Sequence, residues 1–119
     1  MFRIAPTKNK GLGLFADRRI VKGELIEKSP VLILNKQEIE AIKQTILAQY
    51  YFCWKDDGAI AFGYGSIFNH SYNSNVDFTT NYTNNTIDYV ASRNIKKGEE
   101  LTINYDSQLL FDVKEWIVY

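Results

Sequence analysis

The chain has 119 residues, enough for one domain, and its 45% of apolar residues can form a small core. Its 14 basic and 14 acidic residues balance, so the strong positive charge typical of nucleic-acid-binding domains is missing, and no direct nucleic-acid partner is expected. Cys53 is the only cysteine, which excludes intramolecular disulfides and a cysteine-rich zinc site, so no metal is expected. The N-terminus lacks the apolar core of a signal peptide and no segment is long enough to span a membrane, which predicts an intracellular protein without a membrane partner.

Glycines mark the first turns of the chain. Residues 2–7 are expected to form a strand, and a turn at residues 9–11 leads into Gly11 and Gly13. Two glycines around one residue let a ligand approach the main chain, although an ordinary hairpin bend has the same pattern. The pair lacks the third glycine and the following helix of a dinucleotide-binding site.

Two later segments resemble each other. Residues 20–26 and 95–101 both place lysine, glycine and glutamate before an apolar strand, and the glycine can adopt positive φ. Because two short echoes are too few for a repeat architecture, we interpret them as two similar hairpin corners. Residues 31–34, directly after Pro30, are expected to form a fully apolar strand.

One helix is predicted after this strand. Asn35 can cap it, and Glu38 stands at the spacing of a capping box. Apolar residues then follow helical spacing up to the predicted end near Gln49: Ile39, Ile42, Ile46, Leu47 and Tyr50. The pattern is more typical of a helix that packs on the core than of a binding element.

The second half of the chain consists of short strand patterns. Residues 50–54 favour a strand, residues 55–58 a hairpin turn in which Asp-Gly supplies positive φ, and residues 59–62 the returning strand. Residues 76–81 and 86–92 are expected to form a hairpin, and residues 101–105 a last strand. These elements predict a mostly-β domain over residues 1–119, with 107–119 as an apolar tail that should dock on something.

Residues 65–75 stand apart because they follow neither a strand nor a helix pattern. They contain His70, the only histidine, within a run of Asn, Ser and Gly that favours a tightly turned loop. Taken alone, this stretch is best interpreted as a surface turn with one satisfied histidine.

Three short stretches nevertheless occur in an order that indicates a protein family. They are Gly-Leu-Gly-Leu-Phe-Ala at residues 11–16, Phe-Asn-His-Ser at residues 68–71 followed by Asn75, and Gly-Glu-Glu-Leu-Thr-Ile-Asn-Tyr at residues 98–105. Together they resemble the SET-domain protein lysine methyltransferases, over roughly residues 2–106, at a length similar to the minimal SET proteins of large DNA viruses and bacteria. The resemblance implies a SET-domain (β-clip) fold of several small sheets, one main helix and a pseudoknot-like threading of the C-terminal part beneath a loop.

The resemblance also implies an activity, the transfer of methyl groups from S-adenosylmethionine to a lysine side chain. Gly11, Leu12 and Gly13 would offer backbone groups to the methionine end of this cofactor. Asn69 would hold its amino group, while His70 would use its backbone on the adenine and its ring to brace the turn.

Two tyrosines are the implied catalytic residues. Tyr105 would be the active-site tyrosine, and Tyr50 is the best match for a second one that lines the lysine channel. Tyr51 is its rival, because successive strand residues face opposite ways. The substrate channel would be lined by Tyr50, Tyr64, Ile103 and Tyr105. In the family, the position two before the active-site tyrosine often decides how many methyl groups fit. Ile103 stands there and brings no hydroxyl group, so di- or trimethylation is predicted to be possible.

The sequence departs from the family pattern in places. Ser66 stands where an arginine is frequent, and the flanking cysteine-rich zinc segments are absent. The aromatic tail would then cover the adenine, with Phe111 favoured over Trp116. These departures leave open two alternatives, namely a non-catalytic SET-like peptide-binding module and a β-rich interaction domain whose motifs are all turns.

The partner implied by the resemblance is a lysine-containing protein. A histone tail is the leading interpretation, which would place the protein in the nucleus or on host chromatin. A ribosomal or other basic protein competes if the source is a bacterium, where the protein would be cytoplasmic. A homodimer is left open.

Overall fold

The structure, a computed structural model, describes residues 1–107 and is built mainly from strands. The strands are β1 (Phe2–Pro6), β2 (Leu12–Ala16), β3 (Leu25–Leu34), β4 (Tyr51–Trp54), β5 (Asp57–Ala61), β6 (Asn69–His70), β7 (Val76–Asn81), β8 (Thr86–Ala91) and β9 (Glu100–Ile103). One α-helix, α1 (Lys36–Ile42), and two 3₁₀ helices (Ile46–Gln49 and Tyr105–Ser107) complete the described elements. None of the helices within these residues has the length and apolarity needed to cross a membrane.

The strands form two sheets, one in the order β1-β2-β9-β6 and the other in the order β4-β5-β3-β8-β7. In the first sheet β9 pairs antiparallel with β2 and parallel with β6, so a late strand is inserted between an early one and a middle one. Asn75, which is buried, holds this insertion: its side-chain amide donates to Glu100 O, and its side-chain oxygen accepts from Thr102 N, each at 2.9 Å. The predicted mostly-β fold of small sheets with one main helix is confirmed.

Residues from both sheets build one main core. Its fully buried members include Leu14 of β2, Ile87 of β8 and Leu101 and Ile103 of β9. A second, smaller cluster joins Leu34, Ile39 and Tyr51, and it lies where α1 packs on the second sheet. Alternating burial along β8, in which every second residue is buried, is what a strand with one face on the core requires.

The predicted long helix is wrong in its second half. The capping box at Asn35 and Glu38 forms as expected, with both hydrogen bonds at 2.9 Å, but α1 ends at Ile42. Thr45 then caps a new 3₁₀ helix through its hydroxyl, which accepts from Leu47 N and donates to Ile42 O. Ile46 is therefore 70% exposed instead of lying on a buried helical face.

The hairpin turn between β4 and β5 also differs from the prediction. The residue with positive φ is Lys55, at 54°, and Gly58 lies inside β5. A Cβ at Gly58 would come within 2.9 Å of the Ile39 side chain, so glycine is needed there for the close approach of α1. The last predicted strand is likewise shortened, since Tyr105 begins a 3₁₀ helix.

The two similar corners predicted from the sequence lie back to back. Ile20 and Ile95 exchange both backbone hydrogen bonds, at 2.9 and 2.8 Å. Gly23 and Gly98 have the same φ of 93°. Gly23 N donates to Ala91 O at the end of β8, and Gly98 N donates to Ala16 O at the end of β2. The two corners are therefore hydrogen-bonded to each other. Through them the end of β2 lies beside the start of β9, and the end of β8 lies beside the start of β3.

Candidate active site

A cavity of about 630 Å³ opens where the loop before β2, the end of the first 3₁₀ helix, β6 and Tyr105 meet. This volume is in the usual range for sites that bind small molecules and cofactors. Its lining residues are Asn9, Lys10, Gly11, Leu12, Gln49, Tyr50, Ser66, Ile67, Asn69, His70 and Tyr105. The cavity thus brings together residues of all three stretches that carried the resemblance.

The side chain of Asn69 is oriented by two acceptors. Its amide nitrogen donates to Leu12 O at 3.0 Å and to the Glu100 carboxylate at 2.8 Å. Because a side-chain amide has only two N–H donors, both are used, and its oxygen remains as an acceptor. An amide oxygen held in this way suits a cationic donor such as an ammonium group.

Gly11 and Gly13 are required for different reasons. Gly11 has a φ of 70°, a conformation that residues with a side chain rarely adopt, and the space where a Cβ would lie is open. Gly13 lies in β2, where a Cβ would come within 2.6 Å of the Glu100 carboxylate and 2.9 Å of the Asn69 amide nitrogen. The absence of a side chain at Gly13 is therefore what lets Asn69 and Glu100 meet.

His70 is buried, and its ring supports the neighbouring backbone. Its Nδ1 accepts a hydrogen bond from Tyr105 N at 3.0 Å, so the neutral ring carries its proton on Nε2. Burial lowers the pKa of His70, while the charge of Asp106 raises it and that of Lys10 lowers it further. The ring is thus a neutral brace for the turn that carries Tyr105.

Lys10 is the one charged residue among those lining the cavity within residues 1–107. Its ammonium group donates to the backbone oxygen of His70 at 3.0 Å. Lys10 was missed by the sequence reasoning, although its position directly before Gly11 could have drawn attention to it. It supplies a positive charge next to the acceptor presented by Asn69.

Tyr105 and Tyr50 both line the cavity. The Tyr105 hydroxyl donates to Phe68 O at 2.8 Å, and burial raises its pKa to about 12, with smaller contributions from Tyr50 and Glu100. Tyr105 is therefore a neutral phenol at physiological pH. Tyr50 follows the first 3₁₀ helix and is 41% exposed.

A narrow cavity of about 20 Å³ continues from the larger one. The two share Gln49, Tyr50, Ser66 and Tyr105, and the remaining lining of the narrow one is Tyr51, Phe52, Gly65 and Phe68. Aromatic side chains thus dominate this second cavity. Such walls exclude water from a side chain that enters between them.

Other predicted site residues lie elsewhere or contribute differently. The Tyr51 ring belongs to the small cluster beneath α1, where burial raises its pKa to about 12. The Tyr64 ring packs edge-on against Phe2 at 5.0 Å, and Ile103 is fully buried in the main core. The structure does not bring Tyr64 or Ile103 to either cavity, and Phe111 lies outside the described residues.

The sequence reasoning also missed two supporting residues. Glu100 orients the Asn69 amide, and Asn75 pins β9 next to β6. Both stood in the stretches that carried the resemblance, but no role had been assigned to either. Their roles depend on contacts between positions 25 to 31 residues apart, which a local pattern does not reveal.

Comparisons with known proteins agree with this geometry. The family model for the SET domain matches residues 11–106. A histone-lysine N-methyltransferase of Schizosaccharomyces pombe, specific for lysine 37 of histone H3, is 40% identical over 111 residues, which cover 92% of this chain and 76% of the relative. A crystal structure of a Plasmodium falciparum protein proposed to be a histone methyltransferase superposes with a TM-score of 0.71 at 31% identity, over 87% of this chain and 91% of that one. The chain therefore belongs to the SET-domain family and is a protein-lysine methyltransferase.

Proposed function

We propose that this methyltransferase binds S-adenosylmethionine in the 630 Å³ cavity and methylates a lysine of a histone. The observation that carries the proposal is the meeting of an oriented amide oxygen, a lysine ammonium and two tyrosines in one cavity, which continues into an aromatic one. SET methyltransferases as a family use this cofactor, and the residues present here suit its chemical groups.

The residues of the cavity fit the amino-acid end of the cofactor. The amide oxygen of Asn69 can accept from its ammonium group, and Lys10 can pair with its carboxylate. Gly11 and Leu12 border the same space, and the backbone groups of Gly11, Leu12 and Gly13 would position the methionine end. The backbone of His70 would take the adenine, as the resemblance implies, and Lys10 would then exchange the His70 oxygen for the carboxylate.

The proposed chemistry is an in-line displacement at a methyl group. When bound, the cofactor supplies a methyl on a positively charged sulfur. The protein has to align the lysine amine with it, and such positioning alone can contribute several kcal/mol to the rate. Tyr50 and Tyr105 offer hydroxyl groups for this alignment at the junction of the two cavities.

The reacting lysine must also lose its proton, since its ordinary pKa is about 10.4. The walls of the narrow cavity are mainly aromatic and would disfavour the charged amine by desolvation. The positive charge of Lys10 in the adjoining cavity acts in the same direction. The Tyr105 phenol is itself protonated and does not take this proton. With its pKa lowered, the amine would release the proton to solvent, so no carboxylate base is needed.

A histone is the proposed substrate because of the relatives. The Schizosaccharomyces pombe relative acts on histone H3, and the Plasmodium falciparum structure is of a proposed histone methyltransferase. A basic tail would meet the exposed Asp106, which directly follows Tyr105 at the cavity. A nuclear location follows from such a substrate.

The experiment is methyl transfer from labelled S-adenosylmethionine to recombinant histones by the full chain. Tyr105→Phe should lower the rate by about 10²-fold or more, the effect of losing one positioned catalytic group. It should also cost about 1 kcal/mol of stability, because Phe68 O loses its donor. Tyr82→Phe is the control. The Tyr82 ring packs on Trp54, so this change should leave the rate unchanged.

Two results would contradict the proposal. Calorimetric binding of the cofactor without transfer to any histone or lysate protein would favour the non-catalytic peptide-binding alternative. A Tyr105→Phe variant with the same rate as the Tyr82→Phe control would remove Tyr105 from the catalytic residues.

A further inference from the structure

The two corners concentrate positive charge at one end of the first sheet. The loops that hold the corners, residues 17–24 between β2 and β3 and residues 92–99 between β8 and β9, contain six of the 14 basic residues of the chain but only three of its 14 acidic residues. The balanced charge of the whole chain hides this local excess. All six basic side chains are exposed: Arg18, Arg19, Lys22, Arg93, Lys96 and Lys97.

The internal pairing of the corners makes this one surface instead of two. The bridge between Ile20 and Ile95 brings the two segments side by side, at the separation of neighbouring strands, about 5 Å. Lys22 N donates to the Asn94 side chain at 2.8 Å, so the turn of the first corner lies on the second. Residues 75 positions apart in the chain thus face solvent together.

Ion pairs remove only part of the charge. Arg18 pairs with Glu24 at 2.9 Å and Arg93 with Glu99 at 3.4 Å, while Asp17 is taken by Arg3 at 3.0 Å. The ion pairs formed within residues 1–107 do not include Arg19, Lys22, Lys96 or Lys97. These four side chains, called here the corner surface, form a cationic group on two turns that are hydrogen-bonded to each other.

We propose that the corner surface binds the phosphate backbone of duplex DNA. Contacts to phosphates need exposed, mobile cations and no pocket, because they are electrostatic and independent of sequence. The choice of DNA over other polyanions rests on the proposed function, since a histone substrate is itself wrapped in DNA.

The position of the surface suits such a role. β2 runs from Leu12 at the cavity to Ala16 at the corner, which separates the two by about 13 Å at the usual rise per residue. DNA held at the corner surface would therefore leave the cavity open while keeping a bound histone within reach. The proposed contact would raise the local concentration of substrate without adding to the catalytic residues.

The test measures binding of the full chain to a fluorescent 20-base-pair duplex by anisotropy, at 50 to 200 mM NaCl and without cofactor. With four phosphate contacts, the logarithm of affinity should fall by about 3.6 per tenfold rise in salt, or roughly 10²-fold over this range. Lys22→Glu/Lys97→Glu should weaken binding at least tenfold and lower the salt slope by about two.

A matched control changes the net charge by the same amount as the corner variant. Lys8→Glu/Lys36→Glu changes two exposed lysines away from the corners and should alter affinity less than threefold. If the charge-reversed variant Lys22→Glu/Lys97→Glu does not fold, Lys22→Gln/Lys97→Gln replaces it. This variant should lower the salt slope of binding by about half. Equal weakening by the control pair, or no wild-type binding at 50 mM salt, would overturn the proposal. Tighter binding to phosphatidylserine vesicles than to DNA would overturn it in favour of a lipid surface.

A second arm separates this inference from the proposed function. Transfer to free histone H3 should be unchanged in Lys22→Glu/Lys97→Glu, whereas transfer to nucleosomes should fall five- to tenfold. A chain that binds DNA as described but methylates no histone would contradict the proposed function and leave the DNA surface standing. Equal rates on nucleosomes for the variant and the wild type would show that the surface does not serve methylation and would overturn its proposed role.

Discussion

Lys10 and His70 decide the electrostatics of the cavity at the scale of single residues. The ammonium of Lys10 lies on the His70 backbone oxygen and is the charged group of the described cavity lining. Lys8, two residues earlier, is exposed and lies outside that lining. The pair therefore offers a variant and a control on the same loop.

Lys10→Gln should raise the dissociation constant of S-adenosylmethionine about tenfold, which corresponds to about 1.4 kcal/mol. The reason is the loss of a charge-assisted contact with the cofactor carboxylate. Isothermal titration calorimetry of the full chain checks this value, and Lys8→Gln should bind as the wild type does. Tighter binding by Lys10→Gln would show instead that Lys10 competes with the cofactor for the His70 oxygen.

The buried ring of His70 predicts a dependence of stability on pH. Burial lowers its folded pKa, whereas in the unfolded chain the ring titrates near 6.5. Below that pH the unfolded state takes up the proton first, so stability is fully present above about pH 7 and falls as the pH drops. The loss has an upper limit of about 1.4 kcal/mol per pH unit for one proton.

Urea unfolding between pH 7.5 and 5.5 measures this slope. Because His70 is the only histidine, His70→Gln should lower stability overall but make it flat across this window. The variant also removes the ring nitrogen that accepts from Tyr105 N. The same slope in His70→Gln and wild type would show that another group titrates.

At the scale of elements, the paired corners and the inserted strand organise the fold. The hydrogen bonds of one corner recur in the other, and Gly23 and Gly98 share a φ of 93° with open space around each Cα. β9 begins directly after the second corner with Glu100, which holds the Asn69 amide, and leads to Tyr105 at the cavity. The position of the corners therefore helps to set the position of the residues that follow them at the site.

Gly23→Ala and Gly98→Ala should each destabilise the protein by about 1–2 kcal/mol, the cost of a left-handed conformation for a residue with a side chain. The two losses should be similar because the two turns are alike and neither meets a steric clash. Urea unfolding gives both values. A loss of stability from one substitution but not from the other would show that the two turns differ in how far their backbone adjusts to a side chain.

At the scale of the whole molecule, the sequence predicts that the tail covers the cavity. Residues 108–119 are rich in apolar and aromatic side chains, and Phe111 stands six positions after Tyr105 in the chain. An aromatic face stacked on a base contributes about 1–3 kcal/mol in nucleic-acid complexes. We therefore propose Phe111 as the lid over the adenine, and residues 115–119 as cover for a core edge or a second subunit.

Phe111→Ala should raise the dissociation constant of S-adenosylmethionine about tenfold without unfolding the domain. Deletion of residues 115–119 should instead lower stability or abolish dimerisation. Calorimetric titration and light scattering distinguish the two variants. Unchanged affinity in Phe111→Ala together with lost affinity in the deletion would reverse the assignments.

Local features were predicted well because they depend on neighbouring residues. The capping box at Asn35 and the glycine turns of the two corners involve side chains and φ angles within a few positions. The helix beyond Ile42 was predicted wrongly because its spacing suited a helix while Thr45 could cap a separate 3₁₀ turn. Exposure of Ile46 shows that helical spacing alone does not guarantee a buried face.

The sequence by itself determined the family and the mostly-β fold, through three short motifs whose order needs no knowledge of distances. Only the tertiary structure decided which side chains meet, because the insertion of β9 between β2 and β6 joins residues far apart in the chain. Lys10 reaches His70 across 60 positions, and Asn69 reaches Glu100 across 31. The same long-range pairing gathers the cations of the two corners into one surface, which a balanced net charge conceals.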